Sequence, residues 1–309
     1  MTEFGGVHCC TPPFFGGLCM AEFLQHLING LMIGGIYALM GIGLTLIFGI
    51  MNIVNFSHGE FYMLGAFGVL TLFTMMGIPY LLALLLSAVF FLLFGAVVER
   101  GILRPLQNQP VDVAMLATIG LSIFLSNLAL IIWDPTPKDI GMPFPLIGIN
   151  VGPITLTPIR VFIFVAAMLL ILGSHMFLRN TRFGKAIRAT FQDREAAALM
   201  GINTNTVNMV TFSWGTSIAA IAGGLLGPIF QVFPTMGAIV SAKSFAVVIA
   251  GGLGNFPGAI LAGLLLGVAE SLGAGYISSG YRDAIAFILI IVVLIVRPTG
   301  ILGKARRLG

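Results

Sequence analysis

Two polar clusters concentrate the side-chain chemistry of this chain. The first comprises Asn52, Asn55, Ser57, His58 and Glu60, five residues within a nine-residue stretch that place amides, an imidazole and a carboxylate where one apolar run hands over to the next. Such a set can line or gate the path of a small polar solute. The same residues also make an ordinary helix start, Asn or Ser capping and Glu60 sitting at the positive end of the dipole. The second cluster is Gly184-Lys185-Ala186-Ile187-Arg188-Ala189 followed by Asp193-Arg194-Glu195-Ala196-Ala197-Ala198-Leu199-Met200-Gly201-Ile202. Asp193 caps a short helix, Glu195 matches its dipole and Gly201 stops it. A stiff, small-faced element of this kind fits a groove on a partner, with Ala196, Ala197, Leu199 and Met200 in apolar contact and the arginines orienting it.

Motifs for enzyme chemistry are missing. Gly184-Lys185 and Gly303-Lys304 are each followed by Ala and lack the earlier glycine of a phosphate-binding loop. No H-E-x-x-H occurs, and Ser213-Trp214-Gly215 lacks the first glycine of a nucleophile elbow. The three cysteines, Cys9, Cys10 and Cys19, all lie in the first twenty residues, and His58 has no second ligand nearby. Neither a disulfide framework nor a metal site is expected. No catalytic role and no cofactor are called for, and any ATP has to be held by another chain.

The elements that position these clusters follow from composition. Of 309 residues 58% are hydrophobic and 8% charged, with a mean hydropathy of +1.06. Soluble domains carry about 25% charged residues, so this chain is read as an all-α polytopic membrane helix bundle. Apolar stretches lie at 24–49, 58–76, 78–98, 113–133, 160–178, 207–232, 243–275 and 284–303, about eight transmembrane segments. The formal net charge of +4 is topological rather than a nucleic-acid footprint. The first basic residue is Arg100, followed by Arg104. Arg179, Arg182, Lys185, Arg188 and Arg194 crowd one connection, Lys304, Arg306 and Arg307 end the chain, and 134–159 holds only Lys138. Basic loops stay cytoplasmic, so the amino terminus is expected outside and the carboxyl terminus inside.

That parity requires 243–275 to be a hairpin. Its 33 residues would run about 50 Å as one helix against a hydrocarbon core of about 30 Å. Gly251, Gly252, Gly254, Asn255, Pro257 and Gly258 supply a break, read either as re-entrant backbone near the transport path or as a surface turn. Gly254, Asn255 and Pro257 thus join Asn52, Asn55, His58 and Glu60 as pathway or gate candidates. Glu270 is expected to face external water near its helix end, with Lys243 or Arg282 as alternative partners, while Gln231 and Asn127 are read as interhelical hydrogen-bonders. Glycines at 30, 34, 35, 41, 43 and 49, and at 223, 224, 227, 263 and 267, read as helix contacts and hint at inverted repeats. The prolines of 134–159 imply a semi-rigid outer connection, either a docking surface or a loop packed on its own helices. Residues 1–20 lack the basic start of a signal peptide, and Met20 serves as well as Met1 as a start.

The motifs together resemble one family. Glu195-Ala196-Ala197 with Gly201 is similar to the E-A-A-x-x-x-G pattern of permease subunits in ATP-driven importers. Asn29-Gly30-Leu31, Tyr37-Ala38-Leu39, Asn55-Phe56-Ser57-His58-Gly59-Glu60, Tyr62-Met63, Glu99-Arg100, Arg104-Pro105-Leu106, Gly251 to Ala259 and Arg297-Pro298-Thr299-Gly300-Ile301-Leu302-Gly303 resemble the branched-chain amino-acid permeases of the LivH type. The departures are the extra residues at the start and Ser57, where Ala is more usual. The resemblance implies a permease domain over 23–304, after a 1–22 extension and before a 305–309 tail, with a cytoplasmic coupling loop at 179–206. It further implies a bacterial inner-membrane subunit that passes Leu, Ile and Val. Its partners would be a second permease subunit, two ATPase subunits, a periplasmic amino-acid-binding protein and membrane lipid. Gly184, Arg188, Asp193, Glu195, Ala196, Ala197 and Gly201 would couple it to the ATPases. The rival reading is a secondary transporter or channel using Glu60 or Glu270 for a coupling ion.

Overall fold

Small residues and purely aliphatic ones sort the helices into an inner and an outer set. The computed structural model describes residues 16–107, 109–144, 148–151 and 154–303. Cys9, Cys10, Pro145, Pro153, Lys304 and the 305–309 tail lie outside them. Helix α1 (Gly16–Met51) runs without interruption through the expected boundary at 22–23. Together with α8 (Thr204–Leu226) it forms the centre: 78% of the apolar stretch of each is buried. Around them stand α3 (Tyr80–Val98), α4 (Val111–Trp133), α5 (Pro158–Asn180) and α11 (Arg282–Val296). Burial falls to 22% for α4 and α5 and to 11% for the segment ending in α11. Their exposed faces carry Leu85, Leu93, Leu116, Ile131, Leu169 and Ile295, which lipid tails solvate and water would not.

Among the described residues seven helices are long and apolar enough to cross a membrane. Two shorter ones complete the bundle: α2 (His58–Val69), continued by a π-turn over Leu70–Met75, and α9 (Met236–Gly251). Helix α10 (Phe256–Tyr276) packs antiparallel along α1. The basic connection folds into α6 (Arg182–Gln192) and α7 (Arg194–Leu199). An element not anticipated is a small antiparallel hairpin, β1 (Ile149–Val151) with β2 (Ile154–Leu156), in the outer connection. That connection is packed on the bundle. Lys138 and Val232 exchange backbone bonds of 2.9 Å, Thr74 donates to the Ile140 carbonyl at 2.7 Å, and Gln25 brackets Thr155.

Glycine permits this packing. A Cβ at Gly34 would lie 2.8 Å from the Leu264 Cα, Gly263 faces the Ala38 backbone and Gly267 faces Gly34, so α1 and α10 touch main chain to main chain. Gly65 meets the Ala220 backbone, and a Cβ at Gly223 would collide with the Tyr62 carbonyl, which closes α2 onto α8. Gly223→Ala is therefore expected to destabilise the bundle by about 1–3 kcal/mol, since two helices must separate to admit one methyl. Gly120→Ala, with nothing within 4 Å of its Cβ, should stay within about 0.5 kcal/mol of the parent. Thermal unfolding of the purified variants compares the two, and equal midpoints would remove the packing argument.

The expected hairpin is present, but its break sits elsewhere than at mid-depth. Gly252 (φ +98°) and Gly254 (φ +77°) turn the chain, the Asn255 side chain caps α10 by accepting from Gly258 N at 3.0 Å, and Ile301 N bonds the Ala250 carbonyl at 2.7 Å. Phe191 of α6 packs on Gly254. The break is thus at the end of the bundle that carries α6 and α7, and α9 is a leg of 16 residues starting at Met236 rather than 243. Two legs also bring residues 299–303 back to the α6–α7 end, against Gly252.

Unwound backbone inside the bundle occurs instead at 52–57. Asn52 (φ +51°) follows α1, and the chain then doubles back so that α2 starts alongside Met40 and Gly43, before the end of α1. His58 Nε2 donates to the Met40 carbonyl at 3.2 Å and packs on Gly43. Those positions precede the end of α1 by about 12–17 Å at 1.5 Å per residue. Extended backbone at such depth survives only where protein satisfies it. Thr118 of α4 receives Phe56 N at 3.3 Å and lies 3.2 Å from the Val54 carbonyl, which shares its proton with the nearer Met115 carbonyl of α4 at 2.8 Å, while Ser241 of α9 receives Gly59 N at 2.9 Å and donates to the Phe56 carbonyl at 3.2 Å.

Candidate functional site

Doubling back places the first polar cluster inside the protein. Asn55, Ser57 and His58 are fully buried and Glu60 is 2% exposed, whereas Asn52 remains at the surface. Of the five residues Asn52 alone is exposed. Asn55 Oδ1 accepts from Ser57 N at 3.1 Å and Ser57 Oγ at 2.7 Å, which shapes the turn into α2. Glu60 does sit in the first turn, as the helix dipole favours. Ser122 of α4 donates to its Oε1 at 3.0 Å. Its Oε2 lies against Gly237 of α9 and has no hydrogen-bond partner among the described residues. Asn55 Nδ2 and His58 Nδ1 are likewise unpaired there. The buried groups face different neighbours: the Glu60 carboxylate lies between α4 and α9, whereas the His58 ring lies against α1.

A second polar group lies on the other side of α9. Lys243 Nζ is 2.8 Å from Glu270 Oε1 of α10 and 2.8 Å from Asp283 Oδ1 of α11, and it donates to the Tyr37 hydroxyl of α1 at 3.1 Å. Tyr37 in turn donates to Glu270 Oε2 at 2.8 Å. Glu270, expected to face external water, is 1% exposed. Its neighbours account for this: a buried cation one helix away and the Tyr37 hydroxyl compensate the carboxylate for the water it loses. Of the two partners considered for it, Lys243 is found. Arg282 instead lies over the Phe230 ring at 5.9 Å. Asn127 bonds the Ile123 carbonyl of its own helix at 2.7 Å instead of reaching across, and Gln231 is exposed. No group of three His, Cys, Asp or Glu side chains is arranged for a metal among the described residues.

The second sequence cluster forms a capped elbow at one end of the bundle. Thr181 caps α6 by accepting from Gly184 N at 2.9 Å, and a Cβ at Gly184 would strike the Phe177 and Leu178 carbonyls, so α6 folds tightly back from α5. Arg188 donates to the Leu178 carbonyl, closing the same corner. Asp193 caps α7 as expected, accepting from Glu195 N and Ala196 N at 2.9 Å each, and Gly201 ends it at φ +84°. Ala197 is buried and packs inward, so it does not belong to the exposed face. Ala196 and Glu195 are exposed, and Leu199 and Met200 are 89% and 83% exposed.

This elbow is joined to three other elements by contacts that sequence spacing does not reveal. Phe191 packs on Gly49 near the end of α1 and on Gly254 in the α9–α10 turn. Arg194 donates to Gln107 Oε1 at 3.2 Å, and Gln107 donates to the buried Glu99 Oε1 at 3.2 Å, at the end of α3. The elbow thus touches α1 and the α9–α10 turn through Phe191 of α6, and the end of α3 through Arg194 of α7. Gly254, Asn255 and Pro257, grouped with the pathway candidates above, lie in this linkage and not beside Glu60. Nothing in the sequence singles out Ser122, Ser241 or Gln107, and Tyr37 stands out only as part of Tyr37-Ala38-Leu39. A lysine in an apolar stretch was the one usable signal, since such a group requires a partner.

Comparison with known proteins agrees with this architecture. Residues 26–294 match the profile of the family described as the branched-chain amino acid transport system permease component. The chain is 39% identical over 296 residues to the high-affinity branched-chain amino acid transport system permease protein BraD of Pseudomonas aeruginosa, covering 92% of this chain and 96% of that protein. It is 38% identical over 301 residues to LivH of Escherichia coli K12, covering 91% and 96%. The probable LivH of Methanocaldococcus jannaschii is 29% identical over 303 residues, covering 90% and 92%. No solved structure matches. With most of its length accounted for in this way, the chain belongs to the branched-chain amino acid transport-system permease family.

Proposed function

We propose that this chain is the passive membrane subunit of an ATP-driven importer for Leu, Ile and Val, moved by separate ATPase subunits that grip the α6–α7 elbow. The observation that carries the reading is the elbow itself: a doubly capped helix pair presenting Leu199 and Met200 unpartnered, yet tied to α1, α3 and the α9–α10 turn. A helix that only connected two spans would need neither the apolar tip nor the linkage. The same reading places α6–α7 and residues 299–303 in the cytoplasm, and the start of α1 and the 134–157 connection outside a bacterial inner membrane. A second permease subunit and a periplasmic binding protein complete the assembly, and the bundle exposes its path to one side at a time as the ATPases close.

Vesicles reconstituted with the full assembly provide the test. Leucine uptake should require ATP, the binding protein and both permease chains together. Uptake driven by a proton gradient alone, or by this chain unaided, would overturn the reading.

A further inference from the structure

A cavity of about 300 Å³ opens at the end of the bundle opposite the elbow, between the starts of α1, α5 and α11 and the ends of α8 and α10. Its size is at the lower limit for small-molecule sites and suits a molecule of amino-acid dimensions. One part of the wall is cationic. Arg160 and Arg282 both line it, with His26 and Asn29 beside them. The ion pairs found among the described residues both belong to Lys243, so neither guanidinium there has a carboxylate partner. Asp283, next to Arg282, is committed to Lys243 at 2.8 Å.

Arg160 is held in place. It donates to Asn29 Oδ1 at 2.6 Å, Gln25 donates to the same oxygen at 3.4 Å, and Gln25 is fixed by both backbone groups of Thr155. One guanidinium nitrogen is used and the others remain for a ligand. The rest of the lining is aliphatic and aromatic: Met32, Ile33, Ile163, Leu226, Ile229 and Phe230, the last beneath the Arg282 guanidinium. Ser271 Oγ, whose proton goes to the His26 carbonyl at 2.7 Å, retains lone pairs facing the same space.

From this arrangement we infer that the cavity is the receiving site for a free aliphatic amino acid. The carboxylate is held by Arg160 and Arg282, the ammonium group by the Ser271 hydroxyl oxygen, and the hydrocarbon side chain by the apolar wall. Two guanidiniums suit a carboxylate because their planar N–H groups bond it in charge-assisted pairs. The inference rests on the importer reading and adds where the substrate first meets the bundle.

The test uses the full assembly in phosphatidylcholine vesicles, with Cys9, Cys10 and Cys19 of this chain replaced by Ser and Ala274→Cys introduced on the cavity wall. Labelling of that thiol by a small membrane-impermeant reagent is followed by mass on this chain. Millimolar L-leucine should slow labelling at least threefold, and leucinamide, which lacks the carboxylate, should not. Arg160→Gln or Arg282→Gln should raise the half-protecting leucine concentration at least tenfold. Equal protection by leucine and leucinamide, or none by either, would overturn the assignment. So would protection by phosphatidylglycerol in the vesicle without leucine, which would mark an anionic lipid headgroup as the occupant. ATP-dependent leucine uptake by the wild-type assembly, measured alongside, separates the two claims: uptake without protection removes the cavity assignment alone, and absent uptake removes the importer reading and the cavity with it.

Discussion

Replacing Lys243 by Met should cost the bundle about 3–5 kcal/mol, because it leaves the Glu270 carboxylate buried without its cation. Methionine restores much of the lysine stem's volume, so the loss is electrostatic rather than a cavity effect. Lys243 is 5% exposed and Glu270 1%, and both Glu270 oxygens are occupied, one by the ammonium and one by the Tyr37 hydroxyl. The double variant Lys243→Met with Glu270→Gln removes both charges and should recover most of the loss, since an apolar or neutral pair of similar volume often matches a buried ion pair. Asp283→Asn removes only a partner whose side chain is 56% exposed, and its effect should stay below about 1 kcal/mol. Thermal unfolding of the purified protein measures all three. A Lys243→Met midpoint equal to the parent, or a double variant worse than the single one, would show that Lys243 and Glu270 do not stabilise each other.

The elbow predicts a different signature, in which function falls while the fold stays. Leu199→Asp with Met200→Asp alters two side chains that are almost wholly exposed and touch little of the chain, so the unfolding midpoint should shift by no more than about 0.5 kcal/mol's worth. Burying those carboxylates in a partner's groove carries a desolvation cost. Assembly with the ATPase subunits, and with it ATP-dependent uptake, should fall at least tenfold, the equivalent of about 1.4 kcal/mol. Phe191→Ala separates grip from transmission. The ring is half-exposed and rests on Gly49 and Gly254, away from the apolar tip. ATPase subunits should still assemble and hydrolyse ATP, while uptake per ATP declines. Unchanged uptake in the double aspartate variant would remove the docking role, and a parallel fall of hydrolysis and uptake in Phe191→Ala would remove the transmission role.

Composition alone determined that the chain is a helical membrane bundle. At 8% charge there is too little polar surface to face water, and the apolar runs have helix-spanning lengths. Local chemistry was equally readable: Asp193 as a cap and Gly201 as a stop depend on neighbours two or three positions away. Charge parity also required two legs across 243–275, because that argument counts crossings and needs no contacts.

What only the tertiary structure decided is depth and partnership. Gly252 to Asn255 read equally as an interruption at membrane depth or as a surface turn, and they are a turn at the bundle end, against Phe191. The real unwound segment is 52–57, whose backbone is satisfied by Thr118 and Ser241 from about 60 and 185 positions away. Glu270 is buried because Lys243 and Tyr37 converge on it from other helices. The physical reason is common to these cases. A hydrogen bond or ion pair that makes burial affordable is formed between segments remote in sequence, and neither periodicity nor spacing along one helix records which distant side chain arrives.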